Sequence, residues 1–418
     1  SFAAFAEEAI LFDQAYSTSA WTVPAHASLF TGQYAAAHGA NQETQFLGDE
    51  ALTLAEILAA QGYQTGSFSG NPWISPKANL TQGFTTHEVV FSGRAAADGE
   101  VLPHPLNAKA LAWLDQRDPV RPFLLFINYI EAHWKYQAPP SFQERFVPGG
   151  KAVSPKHEAM FTSVRWYLRP REELAELLPL RIGLYDAELA VADAALGELL
   201  DGLRERSLLE SSLVVVTSDH GENHGDNGHV THMFALNEPL VRVPLAVRPP
   251  GPGGAGSARR DPVQLVDVFR TLVVAAGADV PPLALAAYDL LAEEAPADRP
   301  ILAEYYFPEQ VLAFFPRAAR EDPVLQPYLR RIRSLRIGDD KLVWGSDGRH
   351  ELFDLAADPG ERRDRLPADG GRARALESVL EALVARCEAS RPIASADSTV
   401  PALDPAIEEE LRALGYVR

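Results

Sequence analysis

The sequence predicts an α/β protein in which a mostly parallel central sheet is sandwiched by helices, with a small C-terminal antiparallel sheet and helix. Three observations carry that prediction. Two short apolar runs, residues 122–129 and 213–217, end in polar residues, as strands buried on both faces do. Helical stretches alternate with these runs, which is the order of a helix-covered parallel sheet. From about Ser334 the pattern changes to short strands joined by tight polar turns, which suits antiparallel pairing.

Taken in order, residues 1–9 read as an amphipathic helix with no strand before it. Residues 51–60 have helical periodicity and Gly62 stands where a helix-ending glycine belongs. Gln64 to Ser69 reads as a short strand running into the turn at Gly70-Asn71-Pro72. The strand at 122–129 leads to Glu131-Ala132-His133-Trp134-Lys135-Tyr136. A long helix from Arg181 to Leu203 places Leu184, Val191, Leu196 and Leu200 near one face, and it feeds the strand at 213–217. A further apolar segment at 244–247 is followed by a Pro- and Gly-rich surface loop, 249–256, and then by a helix over 263–276. Strands near 334–338, 341–344 and 351–355 and helices over about 372–387 and 405–414 close the chain. This divides it into an α/β unit, 1–325, and a C-terminal antiparallel-sheet unit, 326–418. No internal repeat is present.

With 418 residues the chain is long enough for one large domain and a smaller one. Its 46% hydrophobic and 23% charged content is that of an ordinary globular protein. A net charge of −19 argues against a nucleic-acid or anionic-membrane partner, both of which call for basic surface. No apolar run reaches membrane-spanning length. Cys387 is the single cysteine, so neither an intrachain disulfide nor a thiolate metal cluster is available, and its apolar helix marks it as core. The compartment, cytoplasmic or periplasmic, stays open.

Two segments carry chemistry. The first is Ala20-Trp21-Thr22-Val23-Pro24-Ala25-His26-Ala27-Ser28-Leu29-Phe30-Thr31-Gly32. Pro24 suits a first helical turn and Gly32 suits the left-handed residue that ends a helix. Thr22 then lies where free N–H groups and the helix dipole favour an anion. Thr is also a preferred helix cap, so a nucleophile and a cap are both open here. The second segment is Val214-Val215-Val216-Thr217-Ser218-Asp219-His220-Gly221-Glu222. Open α/β sheets bind ligands at the carboxyl ends of their strands, and Asp beside His offers oxygen and nitrogen to a divalent metal. Four of the eleven histidines lie between His220 and His232, at His220, His224, His229 and His232. A single loop histidine is usually only solvated; their concentration after a core strand points to a site.

With both segments in view the chain resembles the sulfatase family of the alkaline phosphatase superfamily. The likeness extends to Leu54-Ala55-Glu56, Gly62-Tyr63-Gln64-Thr65, His133-Trp134-Lys135-Tyr136, Leu240-Val241-Arg242-Val243-Pro244-Leu245, Glu351-Leu352-Phe353-Asp354-Leu355 and Asp358-Pro359-Gly360-Glu361. The resemblance implies an alkaline phosphatase-like fold and a metal-dependent hydrolase of sulfate or phosphate esters, phosphodiesters included. It implies Thr22 as nucleophile and metal ligand, with Asp219 and His220 as further metal ligands. It puts His133 and His232 on the substrate's anionic group or leaving oxygen, with His229 second to His232. His26 takes the place of a basic residue beside the nucleophile. Asn227 stands where relatives often carry His and receives no role. The cofactor implied is a divalent metal ion, Zn, Mn, Ca or Mg. The substrate implied is a small-molecule, glycan- or lipid-linked anionic ester.

Two departures qualify this. Sulfatases use a formylglycine made from Cys or Ser, which Thr22 cannot become. An unmodified Thr ester must be attacked by water at the central atom, and this favours phosphorus over sulfur. The second departure is the lack, before Thr22, of a strand ending in one or two Asp residues; Asp13 is a poor replacement. The sequence therefore reads as lacking a central strand, and predicts a slot in the sheet beside Asp219. A non-catalytic relative that binds an anionic ligand or a partner is the competing reading.

Overall fold

The structure is a computed structural model that describes residues 1–90, 103–150, 163–168, 175–251, 256–313, 315–392 and 405–413. The predicted elements are present with local shifts. The N-terminal helix spans Phe2–Ala6, and the helix predicted at 51–60 spans Leu54–Ala60. That helix is fixed at its start by a reciprocal pair: the Thr53 hydroxyl accepts from Glu56 N–H and the Glu56 carboxylate accepts from Thr53 N–H. The long helix runs over Leu178–Glu205, beyond both predicted ends.

The central layer consists of two pieces. In one, the strand order is Ser257–Arg259, Ile10–Phe12, Leu245–Arg248, Val214–Thr217. In the other, Thr86–Val89, Gln64–Ser69 and Phe123–Asn128 pair in parallel, with Ser67 opposite Phe126. Leu245–Arg248 runs antiparallel to both of its neighbours, an exception within the parallel pattern. Nothing in its four apolar-rich residues distinguishes the two directions, because a strand buried on both faces looks the same either way.

Val214–Thr217 and Phe123–Asn128 are each paired along one edge only among the described residues. Both lie on one floor: Val214, Val216, Phe123 and Leu125 pack against a cluster containing Phe5, Leu114, Leu200 and Leu203. All side chains of the two strands are only partly buried, although most are apolar. The sheet is thus open between them, as predicted, with unpaired N–H and C=O groups along the opening. Asp219 follows the Val214–Thr217 strand, so the candidate site stands at the head of this opening. Asp13 takes no part in it. It pairs with Arg260 at 3.7 Å, and its carbonyl accepts from Arg242.

The C-terminal sheet is antiparallel, in the order Ile301–Tyr305, Ile332–Ile337, Asp340–Gly345, Glu351–Asp354. Its first strand precedes residue 326, and the sequence pattern did not reveal it. The helix Gly370–Ala389 packs on this sheet through Leu376, Leu380, Val384 and the buried Cys387. Among the described residues, no helix is long and apolar enough to cross a membrane.

Candidate active site

The helix Thr22–Thr31 starts after Trp21, whose extended backbone (φ −149°, ψ 139°) makes it the cap. Thr22 is therefore the first helical residue, and the capping alternative falls away. Gly32 ends the helix at φ +67°, its N–H donating to Ser28 C=O at 2.9 Å. Nearly every residue of this helix is buried, so Thr22 is held by packing on all sides, itself 3% exposed.

His26 lies one turn after Thr22 on the same face. Its Nδ1–H donates to the Thr22 carbonyl at 2.9 Å, and the same atom stands 3.5 Å from Asp219 Oδ2. One imidazole thus joins the Thr22–Thr31 helix to the end of the Val214–Thr217 strand. The ring is set edge-on to Phe126 of the Phe123–Asn128 strand, with centroids 5.9 Å apart. Burial lowers the His26 pKa, and the facing Asp219 carboxylate only partly opposes it.

Asp219 Oδ1 accepts the His220 N–H at 3.0 Å. Burial acts to raise its pKa, but His220 and His26 outweigh that, so the carboxylate stays ionised below its usual range. His220 Nδ1 lies 2.9 Å from the Gly221 carbonyl, which can only accept, so Nδ1 carries the proton. Nε2 then presents a lone pair. It is buried, has no hydrogen-bond partner among the described residues and lies 3.6 Å from Asp219 Oδ2. That is the tautomer of a metal-binding histidine.

His232 completes the cleft, its ring centroid 4.5 Å from His220, 5.0 Å from Trp21 and 5.5 Å from His133. One ring nitrogen bonds the Ala20 carbonyl, and Nδ1 is without a partner among the described residues. Burial, then the neighbouring histidines, hold its pKa well below 6.5. His133 turns its Nδ1 to the carbonyl of Trp134.

The structure therefore brings His26, His133, Asp219, His220 and His232 together, with Thr22 joined to them through His26. His229 packs against Tyr167 and Tyr328, with its Nδ1 3.3 Å from the Tyr167 hydroxyl. Asn227 is a left-handed turn residue, φ +49°. Sequence reasoning passed over Arg181, Tyr136 and Glu222, which form a buried group behind the cleft. A lone arginine on the apolar face of the 178–205 helix was the available signal.

As a metal site the donors fit in part. Asp219 offers an ionised carboxylate and His220 a free ring nitrogen. Among the described residues, no group of three His, Cys, Asp or Glu side chains forms a cage.

A family model described as Sulfatase matches residues 1–278. The chain belongs to the sulfatase family. Sulfatases are ester-bond hydrolases that generally use a divalent metal. This member is 26% identical to the ulvan-active sulfatase of Formosa agariphila, over 66% of the present chain and 57% of that relative. Its span is thus less than two thirds of that protein's length. In fold it is similar to the phosphonate monoester hydrolase of Agrobacterium radiobacter, with TM-score 0.71 at 19% identity, covering 92% and 90% of the two chains. It is equally similar to a structure solved with its substrate D-glucosamine-2-N,6-O-disulfate, with TM-score 0.71 at 20% identity, covering 94% and 93%. Both neighbours have the alkaline phosphatase-like architecture predicted from the sequence.

Proposed function

We propose that this sulfatase-family protein is a metal-dependent hydrolase of anionic esters with Thr22 as nucleophile, and that it favours phosphate over sulfate esters. The observation that carries the reading is the convergence of Asp219, His220, His26, His133 and His232 at the carboxyl ends of two strands, beside the start of the Thr22 helix. Asp219 and His220, with the Thr22 hydroxyl, would hold the divalent metal. When bound, it supplies a Lewis acid that lowers the hydroxyl pKa and polarises the ester oxygens.

Thr22 Oγ forms a bond to the central atom as the bond to the leaving oxygen breaks. His232, with Nδ1 open, would take the proton released by the Thr22 hydroxyl and pass it to the departing oxygen, which His133 beside it would help to stabilise. Water then attacks the central atom and frees Thr22. Phosphorus suits this second step better, because a threonine ester offers no route by which the side chain itself expels the anion. The names of the relatives and fold neighbours, which include a phosphonate monoester hydrolase and sulfatases of glycans, support a glycan-linked or small anionic ester as substrate.

The test is a parallel assay on aryl phosphate, aryl phosphodiester and aryl sulfate with Mg, Ca, Mn or Zn, for the parent and for Thr22→Ala. Phosphoester turnover at least equal to sulfate turnover, abolished in Thr22→Ala, is expected. A strong preference for sulfate would sink the argument from Thr22. Specific anion binding without turnover of any ester would favour the non-catalytic reading.

A further inference from the structure

Behind the cleft lies a charge that the reaction above does not use. Arg181 stands in the first turns of the Leu178–Glu205 helix and is 2% exposed. Its Nη2 donates one hydrogen to Glu222 Oε1 at 2.6 Å and the other to the Tyr136 hydroxyl at 2.9 Å. The guanidinium also lies over the Tyr136 ring, 5.2 Å from its centre, and Nε is buried without a partner among the described residues. Glu222 and Tyr136 are buried as well.

Burying an ion pair costs several kcal/mol in desolvation, and a well-packed apolar group of the same volume often serves stability as well. The location of the two acceptors gives this pair another use. Tyr136 lies three residues after His133, and Glu222 two residues after His220. The two segments belong to different pieces of the sheet, and the strands that lead into them, Phe123–Asn128 and Val214–Thr217, do not pair among the described residues. The backbone before His133 is bent, with Ala132 at φ +72°. The same long helix takes a second hold on the His133 segment, where Glu188 accepts the Gln137 N–H. The spacing across the cleft is therefore set from behind, by the helix.

We propose that Arg181 is a positioning residue: one planar nitrogen, bonded to Tyr136 and Glu222 at once, fixes the separation of His133 and His220 across the cleft. The fixed angle between the two N–H bonds does what a freely rotating ammonium cannot. The kinetic consequence rests on the hydrolase reading; the geometric claim stands apart from it.

Arg181→Lys keeps the charge, and Tyr136→Phe removes the Arg181–Tyr136 bond together with the Tyr136–Glu222 hydrogen bond while leaving the Arg181–Glu222 pair. Each is prepared with 13C-labelled histidine rings and compared with the parent at one fixed pH, signals being assigned from His133→Gln and His220→Gln. In folded Arg181→Lys the ring resonances of both His133 and His220 move, while those of His38 and His350 stay. In Tyr136→Phe the His133 signal moves more than that of His220. On whichever phosphoester the parent turns over, Arg181→Lys lowers kcat about tenfold or more with KM changed far less, since displacement of about 1 Å at a reacting group is costly. Folded variants whose His133 and His220 signals coincide with the parent's would overturn the proposal, as would an unchanged kcat in Arg181→Lys. Displaced signals in a protein whose parent hydrolyses no ester would leave the positioning role standing and remove the hydrolase reading.

Discussion

Replacing His38 with Asn should make the protein less sensitive to acid, by an amount the structure allows to be worked out. His38 ends the short helix Ala35–His38 and is 6% exposed. Its Nδ1 accepts the Ala40 N–H at 3.1 Å, so that nitrogen carries a lone pair. Nε2 then holds the proton and donates to Ser28 Oγ at 3.1 Å, on the helix that begins at Thr22. A second proton at Nδ1 would face the Ala40 N–H. Burial, and then the charge of Arg391, push the ring down to about 3 from 6.5, against weaker support from the Pro24 carbonyl. The unfolded chain takes up a proton near 6.5 and the folded one does not until about 3. This contribution is therefore intact above pH 6.5 and is lost progressively as pH falls towards 3. At about pH 5, roughly 1.5 units below the unfolded value, the loss is about 2 kcal/mol. Asn keeps an acceptor for Ala40 at the position of Nδ1 but forfeits the Ser28 bond, for about 1 kcal/mol at neutral pH. Urea unfolding of both proteins at about pH 7.5 and about pH 5 checks this: the gap between parent and variant should close or reverse by about 2 kcal/mol in acid. The other titrating groups act on both proteins and cancel. A gap of the same size at both pH values would refute the reasoning.

Lys341→Met should cost about 3–5 kcal/mol in denaturant unfolding, because Lys341 Nζ lies 2.9 Å from Glu238 and 2.8 Å from Glu361 and both carboxylates would be left facing inward. Adding Glu361→Gln should recover part of that loss. Gly32→Ala should cost about 2 kcal/mol or more: it imposes φ +67° on a residue with a Cβ, and that Cβ would stand 2.4 Å from the Phe269 ring. Its melting temperature against that of the parent decides the matter. If the proposed metal binds at Asp219, Mn or Zn at about a hundredfold excess over Kd should stabilise the parent by about 2.7 kcal/mol, read as a higher melting temperature, and Asp219→Asn should abolish that gain. An equal metal-dependent rise in both proteins would place the metal elsewhere.

What the sequence determined by itself was local. Pro24 and Gly32 marked the two ends of the helix that begins at Thr22, and the left-handed backbone at Gly32 is where the sequence placed it. The apolar run into Ser218-Asp219-His220 announced a strand that delivers polar groups at its carboxyl end. These are short-range matters of periodicity, capping and backbone freedom, and each is settled within a few residues. The resemblance to sulfatases rested on the same two segments. What the tertiary structure alone decided was which distant groups meet. The sequence ranks His229 second to His232, but only the fold shows that His232 faces His220 and His133 while His229 packs on Tyr167 and Tyr328. The contact of His26 with Asp219, the reversed direction of Leu245–Arg248 and the hold of Arg181 on two separate segments belong to the same class. Each depends on long-range packing, where many pairings satisfy the same local pattern and only the assembled core, with its buried charges and unpaired edges, selects one.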